Sequence, residues 1–363
     1  MSKTILQIAA AMAGALATLP LAACGDDLDA REPEGAPTAA GRMPEATVRL
    51  GFFSTNLPLE AAFSRGFFDE ENLTVTTTQV TTSIDMFQSV AAGTMDIAMT
   101  SADNPVNYRL NVDNPVNNGG EPLDVQMIFG DHLGLGLALV SQPDLTTFES
   151  LRGKTCGVDA PVSGFAFVLY QMLLDNGLER DADYAVTQAG GTPIRLAAMR
   201  AGEIDCTLLN ADSIVRAREE GFNVLATIDD VAVPYLGGTG AAHQTWLKDN
   251  SDVAIRFIRA YIRGELWIED PDNRQAVIDL ITDEETPAAL AEKIYEAAVD
   301  DPTGIISKAA FDVEGLFNVI ALREAWDGLE QRQDLESLAS PMSGLFELKY
   351  YDKAVRDVER EDR

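Results

Sequence analysis

Two aspartates in matching surroundings raise the first chemical question. Asp103 closes the stretch "AGTMDIAMTSAD" (Ala92–Asp103), and Asp212 closes "AGEIDCTLLNAD" (Ala201–Asp212), 109 residues later. Gly93 aligns with Gly202, Asp96 with Asp205, and Ala102-Asp103 with Ala211-Asp212. A carboxylate in a loop after a strand either meets a solute or folds back on its own backbone as an Asx turn. Asp96 and Asp205 stand at strand starts and are read as turn residues. The loops that follow apolar runs supply the other candidates for solute contact: Ser54, Thr55 and Asn56; Ser101 with Asp103; Asp131 and His132; Pro161, Ser163 and Phe165; Asn210 with Asp212; and Thr239 within "GGTG". Ser163 serves equally well as a helix cap. His132 and His243 are the only histidines, and no tight ligand spacing surrounds them, so no metal is expected. Cys156 and Cys206 fall in apolar strands ("KTCGV", "IDCTLL"). An exported chain can oxidise such a pair, but neighbouring strands rarely offer disulfide geometry. Two buried thiols acting as small hydrophobes are therefore expected.

Parallel α/β units position these residues. Each copy of the repeat opens with an amphipathic helix carrying a start signal, Ser83 in one and Thr192-Pro193 in the other. Gly93 or Gly202 then ends the helix in the left-handed region. A short apolar strand follows, then the Asp loop, then another helix, for which Asn104-Pro105 reads as N-cap and first residue in the first copy. Strand–helix–strand patterns precede both copies: "TVRLGFF", "LPLEAAFSRGFFDEEN" and "LTVTTTQV" before the first, "GKTCGVD", Ser163–Asn176 and "YAVTQA" before the second. Each half is β-α-β-α-β, with connections of the length right-handed crossovers need. Two long β-rich stretches, "LDVQMIFGDHLGLGLALV" and "NVLATIDDVAVPYLGGTGAAH", read as hinge crossings between lobes. From Gln244 onward the periodicity is helical, with helices around residues 252–269, 274–281, 287–299 and 312–327, and this segment is expected to return to the first lobe.

The amino terminus has a different character. One lysine precedes an apolar run, and small residues lead to a cysteine, the layout of a signal peptide over residues 1–23. Leu21-Ala22-Ala23-Cys24 resembles the bacterial lipobox, which implies cleavage before Cys24 and lipidation of its sulfur. Residues 24–45 are rich in acid, Pro, Gly and Ala and read as a flexible tether. The folded part divides into a first portion of lobe 1 (46–130), lobe 2 with the hinge crossings (131–235), and a return to lobe 1 with the C-terminal helices (236–363). The chain carries a formal charge of −31 at neutral pH. Such a surface repels nucleic acid and anionic headgroups. Attachment to a membrane is expected through the lipid alone.

With these residues in place, the chain resembles solute-binding proteins of bacterial ABC importers, in the group that binds nitrate, sulfonates, taurine and thiamine pyrimidine precursors. The resemblance rests on "LPLEAAFSRGFFDEENLTV", "SVAAGTMDIAMTSAD", "LRGKTCGVDAPVSG", "LAAMRAGEIDCTLLNAD" and "FDVEGLFNVIALREAW". It implies the two-lobed type II periplasmic binding protein fold: two Rossmann-like α/β lobes, two hinge crossings, and a helical C-terminal segment packed on lobe 1. It also implies an exported monomer that needs no cofactor, closes on a small solute, and hands it to an ABC permease and through it to an ATPase. A sensory lipoprotein would have the same folded chain. An enzyme of the pyrimidine-synthase or desulfinase type on this fold would need a reactive His or Cys in the cleft. The cysteines instead lie in strands, and no catalytic residue is assigned. None of the nominated loop positions is Lys or Arg, whereas Asp103, Asp131, Asp159 and Asp212 fall near the expected cleft. That balance favours a neutral or cationic nitrogenous solute over nitrate or a sulfonate.

Overall fold

Two five-stranded sheets organise the chain in the computed structural model, which describes residues 43–54, 56–111, 113–116, 122–133, 136–231, 235–300, 311–327 and 344–361. The expected leader, Cys24 and Thr55 lie outside the described residues, as does nearly all of the expected tether. The first sheet holds β1 (Ala46–Phe52), β2 (Leu73–Gln79), β3 (Ile97–Ser101), β4 (Val125–Leu133) and β10 (Leu236–His243). The second holds β5 (Ala138–Ser141), β6 (Thr155–Val158), β7 (Ala185–Gln188), β8 (Cys206–Leu209) and β9 (Asn223–Thr227). Their orders, β2-β1-β3-β10-β4 and β7-β6-β8-β5-β9, are the same pattern. In each, three parallel strands meet one antiparallel strand, β10 or β5. Both antiparallel strands directly follow a crossing between the sheets, so each lobe is completed by chain arriving from the other.

The 109-residue repeat survives as geometry. Helix α3 (Ser83–Ala91) and helix α6 (Thr192–Arg200) match residue for residue. Gly93 and Gly202 follow them at φ 67° and 69°, a conformation that costs a side-chain-bearing residue about 1 kcal/mol or more. The amides of Thr94 and Glu203 then reach back to the carbonyls of Ser89 and Ala198 at 2.9 and 3.0 Å. Asp96 and Asp205 brace the next strand in the same way. The Asp96 carboxylate accepts the Arg49 amide and the Asp205 carboxylate accepts the Thr155 amide, both at 2.8 Å.

Local details differ from the sequence pattern. Thr82, not Ser83, caps α3, accepting the Asp85 amide at 3.1 Å. The Ser83 hydroxyl accepts from Tyr108 instead. The amphipathic run after β1 is two helices, α1 (Leu57–Ser64) and α2 (Phe67–Glu70), parted by Gly66 at φ 76°. Helix α4 (Asp103–Leu110) begins one residue before Asn104 and has no side-chain cap. The Asn104 amide donates to Thr100 Oγ1 at 2.8 Å. The expectation of two free thiols is overturned. Cys156 and Cys206 are register partners on adjacent parallel strands, with Cα atoms 4.5 Å apart, and they form a disulfide. Direct opposition across one ladder gives the Cα separation that the bond needs.

The remaining helices are α5 (Gly164–Asp175), α7 (Ala211–Glu219), α8 (Gln244–Asp249), α9 (Ser251–Glu269), α10 (Arg274–Ile281), α11 (Ala288–Tyr295), α12 (Val313–Asp327) and α13 (Lys349–Glu361). Helix α9 lies on lobe 1, where Phe257, Ile258 and Tyr261 share a core with Val48 and Leu50. Helix α13 joins it there: Glu71 is buried and salt-bridged to Arg259 and Arg263 of α9, while Arg263 also holds Glu361 of α13. The C-terminal segment does not stop at lobe 1. Helix α12 packs against α4 of lobe 1 and α5 of lobe 2. Near α11, Lys293 pairs with Glu219 at 2.5 Å, and Arg216 of α7 donates to Thr286 Oγ1 at 2.8 Å.

Candidate functional site

The loops at the carboxyl ends of β1 and β3 belong to lobe 1, and those after β6 and β8 to lobe 2. In open α/β sheets this is where ligands bind. Here the N-termini of α4 and α5 meet: the Gly164 amide of lobe 2 donates to Asp103 Oδ2 of lobe 1 at 2.9 Å. A Cβ added at Gly164 would overlap the Asp103 side chain, so the approach requires glycine. Ser163 caps α5 by accepting the Ala166 amide at 3.2 Å, and its hydroxyl donates to Asp159. The first turn of α5 is thus satisfied at the junction of the lobes, its Gly164 amide by Asp103 and its Ala166 amide by Ser163.

Arg323, from α12, completes this junction. Both it and Asp103 are 1% exposed at the side chain. Arg323 Nε and Nη2 donate to the two Asp103 oxygens at 2.8 and 2.6 Å. Nη1 donates to Asn107 Oδ1 at 3.0 Å and to Asp327 Oδ2 at 2.8 Å. Nη2 also reaches the Val162 carbonyl of lobe 2 at 3.1 Å. The guanidinium carbon stands 5.0 Å from the centre of the Phe167 ring, within cation–π range. Burial works against its charge, but Asp103 outweighs it and holds the guanidinium pKa above its usual value.

Three further ionisable groups belong to this region, Asp159, Arg195 and Tyr235. Burial pushes the Asp159 carboxyl up, against the opposing pull of Arg195 and of the Ser163 hydroxyl. Burial lowers the Arg195 pKa, and Asp159 opposes that. The Arg195 guanidinium is spent on the carbonyls of Gly190 and Leu208, at 2.7 and 2.9 Å, and on Thr192 Oγ1. Tyr235 is 2% exposed, and its hydroxyl has no hydrogen-bond partner among the described residues. Burial, then the charge of Asp103, raises the Tyr235 pKa well above the ordinary phenol value; Arg323 and Asp159 also act on it.

The nominated residues have different placements. Asp103 stands at the contact between the lobes, and Pro161, Ser163 and Phe165 flank it from lobe 2. The Pro161 carbonyl accepts from Tyr170 at 3.1 Å, and Phe165 packs on the core beneath. Ser101 ends β3 opposite Gly238. Ser54 is exposed. Asn56 caps α1 and donates to Tyr261 of α9 at 2.9 Å. Asn210 sits at the N-cap position of α7 without a side-chain cap bond. Asp212, the repeat partner of Asp103, is exposed and pairs with Arg216 at 3.1 Å. Thr239 is fully buried, with its hydroxyl on the Phe129 carbonyl at 2.6 Å. Asp131 and His132 lie in β4, where the backbone of His132 is opposite Gly238. Sequence reasoning missed Arg323, Arg195 and Tyr235. The one local signal for Arg323 was its i, i+4 spacing to Asp327 within α12.

Comparison with known proteins gives a family and a fold. A model of the NMT1-like family matches residues 41–282, more than half of the chain, and the chain belongs to that family. No curated protein matches it in sequence. Among solved structures, the periplasmic nitrate-binding protein NrtA of Synechocystis PCC 6803 superposes with a TM-score of 0.68 at 12% identity, over 87% of this chain and 89% of that one. The alkanesulfonate-binding protein SsuA of Xanthomonas axonopodis pv. citri, bound to MOPS, gives 0.61 at 16% identity, over 81% and 95%. A Candida albicans protein described as having the generic periplasmic binding protein fold gives 0.61 at 13%, over 83% and 96%. At these identities the likeness establishes the two-lobed fold.

Proposed function

We propose that this member of the NMT1-like family is an extracytoplasmic solute-binding lipoprotein, which closes its two lobes on a small molecule and presents the closed form to an ABC permease. The observation that carries the reading is the contact between Asp103 and Gly164. It joins the carboxyl-end loops of the two lobes through a charged group and a helix N-terminus, and among the described residues the strands cross between the sheets twice, from β4 to β5 and from β9 to β10. A hinge of that kind lets one solute bridge both halves, and a permease can discriminate the two shapes by differential affinity. The acidic surroundings, and an Arg323 already committed to partners of its own, support a neutral or cationic nitrogenous solute. Cys24 is the anchor in this reading, and Cys24→Ser should move the protein from the membrane to the soluble fraction. Native mass spectrometry of the purified protein tests solute binding. A small molecule released on denaturation, whose return shrinks the radius of gyration in X-ray scattering, is the expected result. A chain that carries no solute, and whose scattering no amine, pyrimidine or sulfonate changes, would overturn the reading.

A further inference from the structure

Arg323 uses every donor it has. A guanidinium carries five N–H groups, and its five bonds go to two Asp103 oxygens, Asn107, Asp327 and the Val162 carbonyl. An anion-binding arginine needs donors to spare, and this one has none. Seen from the other side, its partners form a socket of acceptors. Asp103 is set for a bidentate planar partner, Asn107 and Val162 supply neutral oxygens, and the Phe167 ring supplies a face. All four come from lobe 1 and lobe 2 rather than from α12, so they stay behind if α12 withdraws. The socket spans both lobes, because Asp103 and Asn107 belong to α4 and Val162 to the loop before α5. A second observation points to an occupant larger than this side chain. The buried Tyr235 hydroxyl has no hydrogen-bond partner among the described residues and lies within electrostatic reach of Asp103, Arg323 and Asp159.

We infer that the Arg323 guanidinium is a tethered occupant of the solute socket, and that the socket accepts a planar cation bearing a guanidine or amidine group. This rests on the reading that solute binds between the lobes. With Arg323 in the socket, α12 is joined to Asp103 of lobe 1 and to the Val162 carbonyl of lobe 2. A solute of the same shape must displace it. A tethered competitor acts at an effective concentration on the order of millimolar, so it weakens the solute that it imitates.

Calorimetric titration of wild type and Arg323→Ala with methylguanidine and acetamidine tests this, with methanesulfonate as the anionic arm. Removing the competitor should tighten methylguanidine binding about tenfold or more, and adding Asp103→Asn to Arg323→Ala should abolish the gain. If Arg323→Ala does not fold alone, millimolar methylguanidine should restore a cooperative melt, while tetramethylammonium, a cation without N–H groups, should not. A folded Arg323→Ala that binds methylguanidine no better than wild type, a gain that survives Asp103→Asn, or a melt that methylguanidine does not restore would each overturn the inference. Failure of the transport reading looks different. A co-purified solute that closes wild type and Arg323→Ala equally leaves solute binding intact and removes the tethered occupant. The methylguanidine pattern without lobe closure does the reverse.

Discussion

At the residue scale, sequence identity and structural fate come apart. Asp103 and Asp212 occupy equivalent positions of a repeat, yet one is buried on Arg323 and the other is exposed beside Arg216. The pattern that exposed Asp103 as a candidate holds within 18 residues of chain. Its partner lies 220 residues away, and no local spacing reports such a contact. Asp96 and Asp205, read from the sequence as turn residues, instead brace neighbouring strands by accepting the amides of Arg49 and Thr155. A third kind of aspartate supports the contact between lobes indirectly. Asp283 accepts the amides of Thr286 and Glu285 at 2.7 and 2.8 Å, and that turn receives Arg216 from lobe 2 at Thr286 Oγ1 and the Glu285 carbonyl. The Thr286 side chain first, then the amides of Glu285 and Thr286, hold the Asp283 carboxyl below its ordinary value of 3.8. A depressed folded-state pKa stabilises the protein above the unfolded value, and that contribution is lost as pH falls through the folded value. Asp283→Asn should therefore lower the melting temperature at pH 7. The gap to wild type should hold steady down to about pH 5 and narrow only below pH 3.8. A gap independent of pH from 7 to 2 would remove the carboxylate from this role.

At the element scale, periodicity and punctuation revealed most of the architecture. The succession of strands and helices along the chain, and the repeat, follow from apolar spacing and from glycines at helix ends. Errors arose where a competing partner was invisible. Asn104 and Ser83 carry cap chemistry, but Thr100 and Tyr108 engage them. Gly66 was read through because the apolar spacing continues on both sides of it. The cysteines were misjudged because register is a property of two strands: nothing within "KTCGV" or "IDCTLL" says that Cys156 and Cys206 lie directly opposite each other. The pair closes a separation of 50 residues that takes in α5, β7 and α6. On a loop-entropy account, a crosslink of that span contributes about 4 kcal/mol. Replacing both cysteines by alanine should therefore lower the guanidinium-chloride midpoint of lobe 2 by an amount equivalent to about 2–5 kcal/mol, while solute binding at saturating concentration persists. A double variant within about 0.5 kcal/mol of wild type would show that the bond does not constrain the unfolded chain.

At the scale of the whole molecule, the contact between the lobes depends on a single missing side chain. Gly164 opens α5, where alanine would be the better helix former by roughly 0.5–1 kcal/mol, and its backbone is not in the left-handed region. Local structure therefore gives no reason for glycine. The reason is on the other lobe: an added Cβ would overlap Asp103, which is buried and fixed by Arg323 and so has little room to yield. Gly164→Ala should consequently leave each sheet and its core intact but disfavour the closed arrangement. When the lobes part, the new methyl group is free and the helix gains slightly, so the balance moves toward the open form from both sides. Solution scattering should show a larger radius of gyration for Gly164→Ala than for wild type without solute, with unchanged far-ultraviolet circular dichroism. Hydrogen exchange should rise at the amides of α12 and at the start of α5, not in β1 or β6. Identical scattering and exchange for the two proteins would mean that the Asp103–Gly164 contact does not set the closed state.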